Sequence, residues 1–386
     1  MNKTLVLTLI VLSQFFGTSL WFSSNAILTE IATAHHLVSK NLLANLTIAT
    51  QLGFIIGSLG YSLLNIADRF YANRVFSISI LLASLANATI LIPNLSFSMV
   101  FSCRFATGFF LAGVYPVGMK IAAHFFPKSV SKALGVLVGA LVLGTAFPYF
   151  IRSFNINLSW FFIIFISSSL AIVGGVTMLF LNTPSKENVQ KININIIPKL
   201  FKNKAFKAAS IGYFGHMWEL YTFWTFLPLL ILAYKNEHQI NLNVSLWTFL
   251  IISSGAIGCV VAGKLALRKE TFKVTKTSLL ISTTCCLICP FSFWFTPYAF
   301  LAYLIIWGIS VVADSPLLST LINKTSLKNY NGTALTLSTC IGFLMTIISI
   351  YFFNLLLKEM NIQYVFIFLA IGPMIGFLSL TKKSLS

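Results

Sequence analysis

Acidic residues are scarce in this chain of 386 residues: there are 8 Asp and Glu against 26 Lys and Arg. Charged residues together make up 9%. A soluble domain carries about 25%, so this chain cannot clothe a water-facing surface. Prolines are few, at 11, while 15% of residues are aromatic, which excludes disordered and fibrous classes. No phosphate-binding glycine loop, dinucleotide fingerprint, paired-histidine zinc pattern or nucleophile elbow occurs. ATP-driven pumping and membrane hydrolysis therefore have no support, and the expectation is a protein that is not an enzyme. The six cysteines, Cys103, Cys259, Cys285, Cys286, Cys289 and Cys340, all lie in apolar runs and suggest no disulfide framework. Cys286 and Cys289 form a single CxxC without the second pair that a structural zinc site needs, so neither metal nor cofactor is expected.

What is abundant is apolar surface: 57% of residues are hydrophobic and the mean hydropathy is +0.88. A spanning helix needs roughly 20 mostly apolar residues. Twelve such runs can be placed, at 5–28, 43–65, 75–93, 97–123, 131–151, 158–181, 206–233, 244–266, 274–294, 298–322, 331–356 and 362–380. They are numbered here as spans one to twelve. Their length and their lack of period-two alternation argue against barrel strands. Met1-Asn2-Lys3 opens directly into the first run with no small-residue cleavage pattern, so it reads as a span and not as a removable signal.

The longest polar stretch, Asn182 to Lys204, divides the runs into two sets of six. The expected organisation is an N-terminal six-helix bundle (1–181), a linker (182–205) and a C-terminal six-helix bundle (206–386). The residues from Pro198 to Phe206 suit a short basic amphipathic helix on the membrane surface. The net charge of +18 does not form a patch for nucleic acid. With the N-terminus inside, twenty of the basic residues fall in inner segments and four in outer loops, Lys40, Arg152, Lys235 and Lys358. That asymmetry predicts an inner or plasma membrane protein with both termini cytoplasmic.

The halves echo one another. Phe16-Gly17 corresponds to Phe214-Gly215 at an offset of 198, Arg69 to Arg268 at 199, and Gly108 and Pro116 to Gly308 and Pro316 at 200. Six spans per half keeps both halves in one orientation. The fold class is therefore all-α integral membrane, with two six-helix bundles related by a parallel pseudo-repeat and a site at the repeat interface near the bilayer midplane.

Three stretches resemble the major facilitator superfamily. Leu64 to Arg74 is similar to its loop motif G-x-L-x-D-R-x-G-R-R, with Asp68 and Arg69 in place and Leu64 and Tyr71 where the motif has glycine. Gly263 to Arg268 resembles the degenerate second copy without its acid, and Arg104 to Gly108 the span-four motif R-x-x-x-G. The resemblance implies secondary transport of a small solute by alternating access, with Asp68, Arg69, Arg74 and Arg268 at an inner gate. It also links Arg104 to proton coupling.

Ionisable groups deep in a bilayer cost at least about 2.5–3.5 kcal/mol on insertion scales and are functional candidates for that reason. Here they are Glu219 at the centre of span seven, Asp314 before Ser315-Pro316 in span ten, Arg104 and Lys120 in span four, and His216 one turn before Glu219. Glu219 suits proton exchange or a structural ion pair, and Asp314 suits function or a local cap at the proline. Arg104 needs a carboxylate, a carbonyl cluster or an anionic solute. Lys120 either snorkels to the interface or attracts an anion, and His216 can share a face with Glu219. Polar and aromatic residues that can line a cavity, or simply pack, are Gln14, Trp21, Asn25, Gln51, Tyr115, Trp218, Tyr221 and Trp224. The expected function is a proton-coupled secondary transporter of a small polar, anionic or zwitterionic organic solute, acting as a monomer. Two alternatives stay open: efflux of hydrophobic cations, and a non-transporting membrane sensor.

Overall fold

Inside a bilayer each backbone amide and carbonyl must find its partner within the protein, which leaves helices as the solution for long apolar runs. The computed structural model describes residues 2–37, 41–154, 159–183, 196–327 and 330–380, without the side chains of 130–132. Lys40, Lys186, Lys191, Lys328, Lys382 and Lys383, the side chain of Lys132 and linker positions 184–195 lie outside the described residues. The described residues are helical and form two compact units, Met1–Lys191 and Ile192–Ser386. Eleven helical stretches among them are long and apolar enough to cross a membrane. The chain is thus an all-α, multi-pass membrane protein.

The remaining apolar helix, Lys3–Thr18, belongs to span one, and it departs from the continuous run expected at 5–28. It stops at Thr18, continues as turns, and resumes through a short 3-10 turn, Asn25–Ile27, and the helix Leu28–Ala34. Four hydroxyls mark the break. Thr18 Oγ1 donates to the Gln14 carbonyl at 3.0 Å, Ser19 Oγ to Phe16 at 2.7 Å and Ser23 Oγ to Leu20 at 3.1 Å, while Ser24 Oγ turns to the Asn25 side chain. Such local bonds compete with the helical ladder.

Two other spans are broken at matching places. Span four comprises Phe97–Leu111 and Tyr115–Phe125, and span ten comprises Pro297–Ala313 and Ser315–Thr325. Pro116 and Pro316 each sit in the first turn of the second piece, where a missing N–H costs little. Within the first unit, span two (Leu42–Leu63) lies against span four at Gly53, Gly57 and Gly108, where an added Cβ would strike the facing backbone. Within the second, span eight (Val244–Arg268) meets span ten in the same way at Gly258 and Gly308. Small residues let membrane helices approach this closely. Both units therefore repeat one internal pairing.

Span seven is longer than expected, running Lys204–Glu237 with Pro228 inside. Asn203 starts it, its Oδ1 accepting from the amides of Ala205 and Phe206, and this cap separates it from the short basic helix Ile197–Lys202. Span three is Ala72–Ala88 extended by Thr89–Leu91, span nine is Thr271–Ser292 and span eleven is Asn331–Leu356.

Candidate functional site

In the second unit, span seven carries His216 and Glu219 one turn apart, both almost fully buried. They face different partners. Glu219 Oε1 accepts from Ser282 Oγ at 2.6 Å, Trp307 Nε1 at 2.6 Å and the Cys286 thiol at 3.3 Å. His216 Nδ1 lies 2.8 Å from Asp314 Oδ1, at the junction of the two pieces of span ten. The expected sharing of a face by His216 and Glu219 does not become a pair: Asp314 takes the imidazole, and Glu219 turns to spans nine and ten. Trp307 is fixed by Phe223, at 4.5 Å between ring centroids, and by Tyr303 at 5.8 Å. A carboxylate with three donors on one oxygen can be held ionised, and its apolar surroundings also accept the neutral acid. That two-way tolerance is what a proton-exchanging group requires.

In the first unit Arg104 is completely buried and has no carboxylate partner among the described residues. Its Nη1 donates to the Leu20 carbonyl at 3.1 Å, Asn87 Oδ1 at 2.8 Å and Ser23 Oγ at 3.3 Å. Nη2 donates to the carbonyls of Leu20 at 3.1 Å and Trp21 at 2.6 Å. Of the three partners that Arg104 could have taken, the carbonyl cluster is the one formed. The guanidinium completes the broken end of span one, where freed carbonyls concentrate negative potential.

Lys120 reaches back to the loop between spans two and three. Its Nζ is 2.5 Å from Asp68 Oδ1 and 2.8 Å from the Ala67 carbonyl. The loop motif is closed within its own unit by this pair, and Asn65 supplies the positive φ of 51° that leads into the turn Ile66–Arg69. Arg69, Arg74 and Arg268 are exposed, with Arg74 lying over the Tyr71 ring at 4.8 Å.

The remaining candidates divide into packed and uncommitted groups. Asn25 Nδ2 donates to Thr47 Oγ1 at 2.8 Å, and Trp21 packs on Phe54 at 5.0 Å between ring centroids. Trp218 Nε1 donates to the Phe368 carbonyl at 3.3 Å. Tyr221 meets Trp224 edge-on at 5.4 Å and Phe343 at 5.3 Å, and Tyr115 opens the second piece of span four, half-buried. Gln14 and Gln51 are fully buried, and neither amide makes a hydrogen bond among the described residues. A buried polar group left this way costs about 1–3 kcal/mol. Ser282, Cys286, Trp307, Ser23 and Asn87 were absent from the sequence-based set. Their signal was weak: single polar or aromatic positions inside spans whose rotation only packing determines.

Eleven membrane-long apolar helices among the described residues, the shorter Lys3–Thr18 beside them, one pairing repeated in each unit and ionisable groups buried mid-span together suit a secondary transporter. The sequence profile of the Major Facilitator Superfamily matches residues 9–350, and the chain belongs to that family. It is a membrane transporter of that kind. No curated protein sequence matches the chain. Among solved structures, the E. coli fucose:proton symporter FucP superposes with a TM-score of 0.71 at 12% identity, covering 98% of each chain. A second structure, of the major facilitator transporter FucP in an outward conformation, gives 0.70 at 13% identity, again over 98% of both chains.

Proposed function

We propose that this chain is a proton-coupled secondary transporter of a small polar organic solute, working by alternating access, with Glu219 as the group that gains and loses the proton. The observation that carries the reading is the cluster on span seven, where Glu219 rests on Ser282, Cys286 and Trp307 and the His216–Asp314 pair lies one turn away. Glu219 takes part in no ion pair with lysine or arginine among the described residues, which suits reversible protonation. The similar solved structures include a fucose:proton symporter, which supports both the proton and a polar organic cargo. Arg104 and the Asp68–Lys120 pair act as positioning groups, the first at the break in span one and the second at the inner gate. The protein resides in the inner or plasma membrane with both termini cytoplasmic.

The test uses proteoliposomes with an imposed proton gradient and measures uptake and counterflow separately. Glu219→Gln keeps the acceptor oxygen for Trp307 and Ser282 but cannot exchange a proton. Gradient-driven uptake is expected to fall to the level of empty vesicles, with counterflow retained. Gradient-driven uptake equal to the wild type would remove Glu219 from the coupling step.

A further inference from the structure

Inside the first unit, the charged groups and the uncommitted hydrogen-bonding groups are different residues. Arg104 has both terminal nitrogens on main-chain carbonyls, Ser23 and Asn87, leaving only Nε. Lys120 is held by Asp68 and a carbonyl. The remaining side-chain capacity is neutral: among the described residues, both amide atoms of Gln14 and Gln51 and the hydroxyls of Tyr149, Ser58 and Ser167 are buried and unpartnered. Gln14 Oε1 faces Gly118 in the second piece of span four, where an added Cβ would stand 2.6 Å from that oxygen. Glycine is thus what leaves the amide room. Gln51 lies one turn before Phe54, whose ring packs on Trp21.

Buried polar groups are ordinarily satisfied, and each primary amide sets a donor and an acceptor side by side. The complementary ligand group is a pair of adjacent hydroxyls, each able to give and to receive. We infer that the transported solute is an uncharged polyhydroxylated molecule, recognised in the first unit by the Gln14 amide across from Gly118, with Gln51 beside the Trp21–Phe54 rings as a second contact. This rests on the transporter reading above and narrows its solute to a neutral one, since the buried cations of this unit already carry partners.

Purified protein is heated with a panel of neutral pentoses, hexoses and inositols, and with uronate and amino-sugar counterparts of the same rings. A ligand of the folded state raises the melting temperature in proportion to its affinity. Neutral members are expected to stabilise, with the charged counterparts at least about tenfold weaker. Gln14→Leu is expected to weaken the best neutral ligand by about tenfold or more while leaving the ligand-free melting temperature unchanged or higher. Gly118→Ala, which intrudes on the same amide, is expected to act likewise. Should Gln14→Leu fail to fold, Gln51→Leu reads the second contact with the same expectation. Stabilisation by the charged counterparts at equal strength, no stabilisation by any neutral member, or an undiminished shift in the variants would overturn the inference. Proton coupling is read apart from it: sugar-induced stabilisation without gradient-driven uptake removes the role of Glu219 and leaves the neutral solute standing.

Discussion

His35 shows how one side chain can join two loops. Its Nε2 is 3.0 Å from the Ile90 carbonyl, to which it donates, and its Nδ1 then accepts the Leu95 amide at 3.2 Å. The Trp160 ring meets it edge-on at 5.7 Å. Burial lowers its pKa from the usual 6.5, with the Ile90 carbonyl opposing and His36 reinforcing the effect. Among the described residues, Glu30 and Arg152 lie near this end of the unit and pair with each other. A depressed folded pKa means that stability is whole above the unfolded value and is lost as pH falls through the folded one. Acidification from about pH 8 to about pH 5 is therefore expected to lower the melting temperature of the wild type more than that of His35→Gln. Equal slopes for the two proteins would show that protonation of His35 does not break the clip. Of the residue-level picture, composition exposed the charges Glu219, Asp314 and Arg104 because so few acids and deep cations exist to choose from. It could not expose their partners, since Glu219 and His216 part company on Trp307, 88 positions from Glu219, and on Asp314, 98 positions from His216.

At the scale of the element, most spans lie within a few residues of the apolar runs, because bilayer thickness fixes length. Span one is the exception. Its residues 18–24 are hydroxylic, aliphatic or aromatic and fit a membrane run, so hydropathy passes through the break. The break depends on Arg104, some eighty positions away, which engages the carbonyls of Leu20 and Trp21. Arg104→Met leaves those oxygens and the Asn87 amide without their charged donor and is expected to cost about 3 kcal/mol or more. Arg104→Lys restores the charge without the planar fork and is expected to fall between the two. Thermal unfolding of the purified proteins measures both, and a Met variant as stable as the wild type would show that the break holds without the guanidinium. The prolines of spans four and ten were visible in the sequence, but the helix breaks before them were not, because a proline in a first turn reads the same whether the chain ahead is helical or bent.

For the whole molecule, an internal repeat was legible from a handful of residues near one offset, and each unit by itself carries it in its internal pairing. Gly108 against span two corresponds to Gly308 against span eight, 200 positions apart. Orientation is where the loop charges make a claim that labelling can check. Ser96, just before span four, and Arg74, in the first turn of span three, are both exposed and stand at opposite ends of span three. In intact cells an impermeant thiol reagent is expected to modify Ser96→Cys and to leave Arg74→Cys unlabelled until the membrane is permeabilised. The reverse pattern would invert the topology.

The tether at the break in span one grips main-chain oxygen, which every amino acid carries. Exchanges at positions 20 and 21 that keep the buried volume can therefore leave the tether in place, while position 104 has no substitute of equal reach and shape. A mutational scan of the three sites should find apolar exchanges of similar size accepted where the contact is received and no exchange accepted where it is given.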